Sequence, residues 1–231
     1  MLLRGGEMKK YGFTLAEVLI TLGVIGIVAS ITMPALIKNY QKKVAATRVK
    51  QAYSQILQAI QLSEAENDEL TLWDMSMSAD RKENTELVVK KYIEPYLKSS
   101  KLCTINCGVS IGSTDIKYFL GNGTSAAFLV DYNNNDLYVM IGTNGSKGKC
   151  RLGTDCFYFS TTGAQPKRLM PYGWFEGITR EDILNGYEFA VNNYRMSCKK
   201  TPHEDGKLGY RHACTVLLMF DNWEMKNDYP F

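Results

Sequence analysis

The sequence has few of the features on which catalytic sites depend. Its 231 residues include only two histidines, so hydrolase chemistry with a histidine base has little support. The glycine-rich patches at residues 121–123 and 142–148 lack the spacing of a phosphate-binding loop, and turns are the simpler interpretation. The sequence therefore predicts a protein that is not an enzyme.

The chain also has little net charge. Its 27 basic and 24 acidic residues give +3, and the first twelve residues hold about +2 of this, since Arg4, Lys9 and Lys10 outweigh Glu7. The remainder is nearly neutral, so nucleic acid is not an expected partner. The 45% hydrophobic content is enough for one globular domain of ordinary size with an appendage.

Cysteine is absent from the first hundred residues. An even number of cysteines, confined to the later part of the chain, favours disulfides in an oxidising compartment. A zinc site that uses His203 or His212 lacks a recognisable ligand pattern, and free buried thiols are a third interpretation. Six cysteines allow 15 pairings, of which we favour the nearest-neighbour set. That set is Cys103–Cys107, Cys150–Cys156 and Cys198–Cys214.

Charge is missing altogether from residues 18–37. These twenty apolar or small residues match the length that a helix needs to cross about 30 Å of hydrocarbon. The alternative to a membrane-spanning helix is a helix buried in the core of a soluble protein. A cleaved signal peptide is another, but the sequence after Ala29 stays apolar until Lys38, with no change to mature-type sequence. We predict an uncleaved anchor whose basic leader stays in the cytoplasm and whose C-terminal part is exported.

A short motif joins the basic start to the apolar stretch, where residues 9–20 read KKYGFTLAEVLI. It resembles the processing motif of type IV prepilins and of type II secretion pseudopilins. The resemblance implies that a prepilin peptidase cuts after Gly12 and methylates the new N-terminus, Phe13. It also implies that Glu17 is the family's acidic fifth residue and that Pro34 is its helix-kinking proline. Because Met8 begins a complete short leader, Met1 and Met8 are alternative starts.

A carboxylate at Glu17 is costly inside hydrocarbon and needs a partner. The resemblance implies that this partner is the cationic amine of Phe13 on a neighbouring subunit. The alternative is that Glu17 lies at the headgroup level and reaches water. Position along the chain permits both interpretations.

Beyond Lys38 the chain becomes polar but keeps a helical rhythm, with Val49, Tyr53, Ile56 and Ile60 spaced by four, three and four residues. This pattern predicts one helix of about 80 Å from residue 13 to residue 67, bent near the proline. The heptad pattern is too short for an isolated coiled coil. We therefore predict a leader (residues 1–12), a transmembrane or filament-core helix (13–37), an amphipathic spine (38–67) and an exported globular head (68–231).

The head reads as α+β, because helices come first and short strands follow. We expect a helix at 83–94 and a short helix at 178–184 opened by Thr179. We expect strands at Ser125–Asp131, 136–141, Cys156–Ser160 and 215–221. The fold class predicted is thus a long N-terminal helix packed on an antiparallel-sheet head, as in pilins.

The turn between the first two of these strands has some features of a calcium loop. Asp131, Asn133, Asn135 and Asp136 have suitable oxygens, but the glycine at the sixth position and the glutamate at the twelfth are missing. We interpret it as a hairpin turn and predict no cofactor. Some pseudopilins do bind calcium in a C-terminal loop, which keeps calcium as an alternative.

The resemblance implies a structural subunit of a type IV pilus or a type II secretion pseudopilus. Its expected partners are prepilin peptidase, other pilin or pseudopilin subunits, an inner-membrane assembly platform and the lipid bilayer. It would wait in the inner membrane and then enter an extracellular or periplasmic filament. The alternative is a minor tip pilin that binds DNA, a surface or a secretion substrate. The motif does not separate pilus, secretion and DNA-uptake systems.

Overall fold

The computed structural model describes residues 12, 14–145, 150–164, 166–189, 194–199 and 211–231. The chain divides into two compact units, which we call the N-terminal unit (Met1–Gln41) and the C-terminal unit (Lys42–Phe231). The elements in chain order are α1 Leu15–Asn67, α2 Arg81–Tyr92, β1 Lys101–Leu102, β2 Ile116–Phe119, β3 Ser125–Asp131, β4 Asp136–Gly142, β5 Cys156–Ser160, β6 Met170–Pro171, α3 Arg180–Asn185, β7 Tyr187–Phe189, β8 Tyr194–Met196 and α4 Ala213–Phe220.

The part of α1 in the C-terminal unit is amphipathic, as its sequence predicts. Val49, Ile56 and Ile60 are buried, at 0–2% exposure. Tyr53 is partly buried and its ring lies 5.0 Å from the ring of Phe159 on β5. This stripe joins one core with α2 and the sheet, so the helix buries one side and leaves the other to solvent.

Strands β1 to β6 form an antiparallel sheet in sequence order. Phe128, Val139 and Phe157 belong to the core shared with α1, while the alternate residues Ala127 and Met140 belong to a smaller cluster on the opposite face. Burial on both faces explains why these strands read as nearly continuous apolar runs. β3 and β5 have the predicted bounds and β4 extends one residue further, so the predicted α+β fold is confirmed.

The two short predicted helices in the C-terminal unit are present. α2 begins two residues earlier than expected, because the carboxylate of Asp80 accepts a hydrogen bond from the N–H of Glu83 at 2.8 Å. α3 is opened by Thr179, which forms a reciprocal capping box with Asp182. Capping residues in the sequence thus explain where both helices start.

The strand predicted at residues 215–221 is wrong, because this segment lies in the helix α4. Six of its eight residues, from Ala213 to Leu218, are buried, so no polar face reveals a helical period. The hydroxyl of Thr215 accepts a hydrogen bond from the N–H of Tyr158 at 3.0 Å. The helix thereby covers part of the edge of β5 that the two-residue strand β6 leaves unpaired.

Candidate assembly site

The apolar side chains of the N-terminal unit lie on its surface. Between residues 15 and 37 the large apolar side chains range from 43% exposed at Val18 to 81% at Leu15. By length and composition, α1 is the one helix among the described residues that could cross a membrane. A helix of a soluble core would hide these side chains, so the core-helix interpretation has no support.

At the start of α1, Glu17 bonds to its own helix. The N–H and the hydroxyl of Thr14 both donate to Oε2 of Glu17 at 2.8 Å, and the N–H of Glu17 donates to Oγ1 of Thr14 at 3.2 Å. This is a capping box, which satisfies free N–H groups at the first turn. Gly12 is exposed, and Phe13 lies outside the described residues.

Polar groups within the apolar segment are satisfied by the helix backbone. The hydroxyl of Thr21 donates to the carbonyl of Val18 at 2.9 Å, and that of Ser30 donates to Ile27 at 2.7 Å. Such internal bonds are what hydrocarbon requires of a spanning segment. Pro34 lies inside α1 and has no N–H to donate, so one helical hydrogen bond is missing there.

The six cysteines form three disulfides, Cys103–Cys107, Cys150–Cys156 and Cys198–Cys214. This is the nearest-neighbour pairing that the sequence favoured. Gly153 lies inside the second loop with a φ of +72°, and a Cβ there would stand 2.6 Å from Cβ of Cys214. Only glycine fits this position, because both the backbone angle and the contact with the third disulfide exclude a side chain.

One group of potential metal ligands occurs among the described residues. Ligand atoms of Cys150, Asp155 and Cys156 lie within 4.8 Å of one another. Both sulfurs are joined in a disulfide, and Asp155 already accepts bonds from Asn144 at 2.8 Å and from the backbone and side chain of Arg151. These atoms are therefore used to close a loop. His203, the other candidate ligand, lies outside the described residues.

The hairpin turn with calcium-like oxygens contains a lysine ammonium. Nζ of Lys167 donates to the carbonyls of Asn134 (3.2 Å) and Asn135, and to Oδ1 of Asp136 at 3.2 Å. Asp136 is 5% exposed and also accepts from the hydroxyls of Thr161 and Thr162. The carboxylate of Asp136 and two carbonyls of the turn are thus bound to the protein's own cation, while Asp131 accepts hydrogen bonds from Asn133 and Asn134 within the turn.

Residues 108–112 read Gly-Val-Ser-Ile-Gly, which fits the G-x-S-x-G pattern of hydrolase nucleophiles. That pattern requires a turn between a strand and a helix, whereas this segment is a loop before β2. The hydroxyl of Ser110 bonds to Oδ2 of Asp115 at 2.9 Å, and no hydrogen bond joins it to a histidine in the described part of the chain. The motif forms a structural turn around Asp115.

The C-terminal residues are held by an ion-pair network. Arg180 contacts Asp221 at 2.9 Å and Asp228 at 2.8 Å, and Lys226 contacts Asp221 at 2.7 Å. Burial tends to raise the pKa of Asp221, but hydrogen bonds from Arg180 and Lys226 outweigh it and hold that pKa below its usual value. An open cleft of about 580 Å³ adjoins this network. The guanidinium of Arg180 that lines the cleft is engaged by two carboxylates.

His212 lies in an aromatic cluster at the start of α4. Its ring is 4.9 Å from Tyr158 and 5.4 Å from Tyr172. Burial lowers the pKa of His212 to about 4, because the charged imidazolium loses its water there. The side chain is therefore neutral at physiological pH.

Three residues of these sites were not expected from the sequence. The Thr14-x-x-Glu17 spacing is a recognisable capping-box signal and could have revealed the role of Thr14. Lys167 and Arg180 have no such local signal, because their partners lie 31 and 41 residues away. Only the fold brings these charges together.

Comparisons with known proteins match two parts of the chain. Residues 35–231 match a family of unknown function, DUF6613. Residues 8–33 match the prokaryotic N-terminal methylation motif, which is the prepilin-type motif and contains Gly12, Phe13 and Glu17. Neither the curated proteins nor the solved structures include a match.

Proposed function

Since this chain belongs to the DUF6613 family and begins with a prepilin-type methylation motif, we propose that it is a structural subunit of a type IV pilus or type II secretion pseudopilus. The observation that carries the proposal is the motif followed directly by a helix with exposed apolar side chains. The processing signal comes first in the chain, and a surface that lipid or protein must cover follows it. A subunit that is processed and then assembled into a filament has this order.

In this proposal each segment has one task. Residues 1–12 are a cytoplasmic leader that prepilin peptidase removes after Gly12, with methylation of Phe13. Residues 13–37 anchor the subunit in the inner membrane, and residues 38–67 support an exported head formed by residues 68–231. The three disulfides support an oxidising location for that head.

Assembly moves the apolar segment from lipid into a filament core with the help of an inner-membrane platform. Lipid solvates apolar side chains well, so packing and polar pairing must supply the preference for the filament. In the single subunit Glu17 accepts bonds from Thr14. In the filament its carboxylate pairs with the cationic amine of Phe13 on a neighbour, which favours one axial offset between subunits.

The test is intact-mass and N-terminal analysis of the protein taken from its host membrane. We expect a chain that starts at methylated Phe13, with a mass lowered by two hydrogens for each disulfide. Gly12→Val should retain the leader, because a branched side chain replaces the small residue at the cut. Gly112→Val is the control and should be processed normally, because Gly112 is exposed and an added Cβ there has its nearest contact at 3.8 Å. A wild-type chain that keeps its leader would overturn the proposal.

A further inference from the structure

Within the C-terminal unit, helix α1 has opposite charges at its two ends. Residues 42–50 contain four basic residues and no acidic one, and the next acidic residue is Glu64. Residues 64–69 contain four acidic residues and no basic one. Between these ends the exposed positions are uncharged, including Gln51, Gln58 and Gln61. The helix is therefore basic where it enters this unit and acidic where it ends.

Some of these charges are used inside the subunit. Nζ of Lys42 donates to the carbonyl of Lys226 at 3.2 Å, and Nη1 of Arg48 donates to the carbonyl of Thr143 at 3.0 Å. Both residues therefore help to fix the helix to its own unit.

The other charges are directed outward. Lys43, Lys50, Glu66, Asp68 and Glu69 are exposed. None of the ion pairs formed within the described ranges includes them. Oε2 of Glu66 accepts a hydrogen bond from the hydroxyl of Tyr96 at 2.7 Å, but the charge of Glu66 is not neutralised by it. All five charges can therefore attract a second molecule.

Glu66, the acidic residue of the outward set that lies within α1, is on a different flank of the exposed side from Lys43 and Lys50, and Asp68 and Glu69 follow directly after the helix ends. At 100° per residue, Glu66 is rotated by about 140° from Lys43 and about 160° from Lys50. The buried residues Ala52, Ile56 and Ala59 occupy the remaining side. A contact that joins opposite flanks is heterologous, and copies joined in this way form an open chain rather than a closed pair.

We propose that the acidic flank of one copy docks on the basic flank of the next, so that this chain is its own partner. At 1.5 Å per residue, Glu66 lies about 24 Å from Lys50 and about 35 Å from Lys43 along the helix. Two parallel copies therefore bring opposite charges together when one is displaced by roughly 30 Å along the axis of residues 42–67. At equal height the two sets do not meet.

This inference rests on the proposed filament function, because insertion into one membrane gives every copy the same orientation. An antiparallel pair would also match the charges without any displacement, but that orientation is then excluded. The charges thus leave two parallel copies unpaired while their residues 42–67 lie at the same height. They favour contact only after an axial shift, at a site distinct from Glu17.

The experiment reverses each set of charges in the full-length chain in its host. The variants are Lys43→Glu with Lys50→Glu, Glu66→Lys with Glu69→Lys, and all four together. Sheared surface filaments, periplasmic polymers captured by cross-linking and membrane-bound subunit are measured by immunoblot, and leader cleavage is measured by mass. The control, Lys82→Glu with Lys98→Glu, makes the same charge change at two exposed positions off α1.

Each double reversal should lower filament yield by roughly tenfold, because attraction becomes repulsion at several exposed pairs. The fourfold variant should recover to within about threefold of wild type, and the control should assemble normally, with leader cleavage equal in all. Normal yield from either double reversal would overturn the inference alone. Failure of the fourfold variant to recover would also overturn it and would indicate another partner for the basic flank, such as anionic lipid. A wild type with neither surface filaments nor cross-linked periplasmic polymers would overturn the proposed function and this inference together.

Discussion

The two units of this chain use their residues in opposite ways. In the N-terminal unit the apolar side chains are exposed, and the polar groups of α1 are satisfied by the helix itself. In the C-terminal unit a shared core, three disulfides and ion pairs bind the residues to one another. A short motif therefore indicates the function of the N-terminal unit. The contacts of the C-terminal unit explain its stability but do not indicate its function.

The largest effect is expected at Glu17, where substitution should impair filament assembly without changing the folding of the C-terminal unit. Glu17→Ala removes both the capping carboxylate and the charge, while Glu17→Gln keeps a side chain that can complete a capping box. Both variants should lower filament yield at least about tenfold, because the proposed pair between Glu17 and the amine of Phe13 on a neighbour needs the charge. Processing and the unfolding free energy of the C-terminal unit should not change. Glu181→Ala on α3 is the control, and normal assembly of Glu17→Gln would show that capping alone is the role of Glu17.

Loss of the third disulfide should have the opposite result, because it should lower the stability of the C-terminal unit and leave processing unchanged. Cys198→Ser with Cys214→Ser opens a loop between residues 16 apart and should destabilise the C-terminal unit by about 3 kcal/mol in urea unfolding. Opening Cys103–Cys107, with a separation of 4, should cost less, about 2 kcal/mol. Leader cleavage should proceed in both variants. A loss of cleavage would mean that the two units are not independent in this respect.

A comparable effect of pH is expected from His212. The unfolded chain binds a proton near the ordinary histidine pKa of 6.5, whereas in the folded chain burial lowers the pKa to about 4. Stability is therefore intact above pH 6.5 and falls as the pH drops from 6.5 to 4, by about 3 kcal/mol in total. His212→Gln should remove this dependence. Asp221, whose pKa is lowered from 3.8, contributes at still lower pH. An unchanged pH profile in His212→Gln would contradict the assignment.

The smallest effect is expected at the turn between β3 and β4. Lys167→Met leaves the buried carboxylate of Asp136 without its cation and should cost about 1–2 kcal/mol of unfolding free energy. Millimolar calcium should not raise the melting temperature of the wild type, since the ammonium already contacts the turn oxygens. Lys199→Met, at an exposed bond to Asn185, is the control. A calcium-dependent rise in the wild type would favour the calcium interpretation of this turn.

Much of the fold could be predicted where local chemistry decides it. The strands β3 and β5 follow from short apolar runs bounded by turn residues, and α3 follows from the cap at Thr179. α4 could not be recognised as a helix from the sequence. It is buried on nearly all sides and is joined to Cys198 through Cys214, so its residues lack the alternation of polar and apolar faces that marks a surface helix. Its apolar residues fit a strand equally well when only the sequence is considered.

The candidate sites divide in the same way. The segment around Gly12 and Glu17 is recognisable because the motif is contiguous. The contacts of Lys167 and Arg180 are not, because each joins residues that are 31 or 41 positions apart. The outward charges of α1 are only partly predictable from the sequence. Their positions can be read from the sequence, but only the structure shows that Lys42 and Arg48 turn inward while Lys43 and Lys50 do not.

The consecutive order of the disulfides has a consequence for how the chain matures. Each cysteine is bonded to the one nearest to it in the sequence, and no bridge encloses or crosses another. If the residues that follow the membrane anchor are exported in sequence order, each pair of cysteines is complete before the next pair emerges. A simple dithiol oxidant is then sufficient, and repair by thiol–disulfide isomerisation is not required. The connectivity therefore suits oxidation of the chain without repair of wrong bridges.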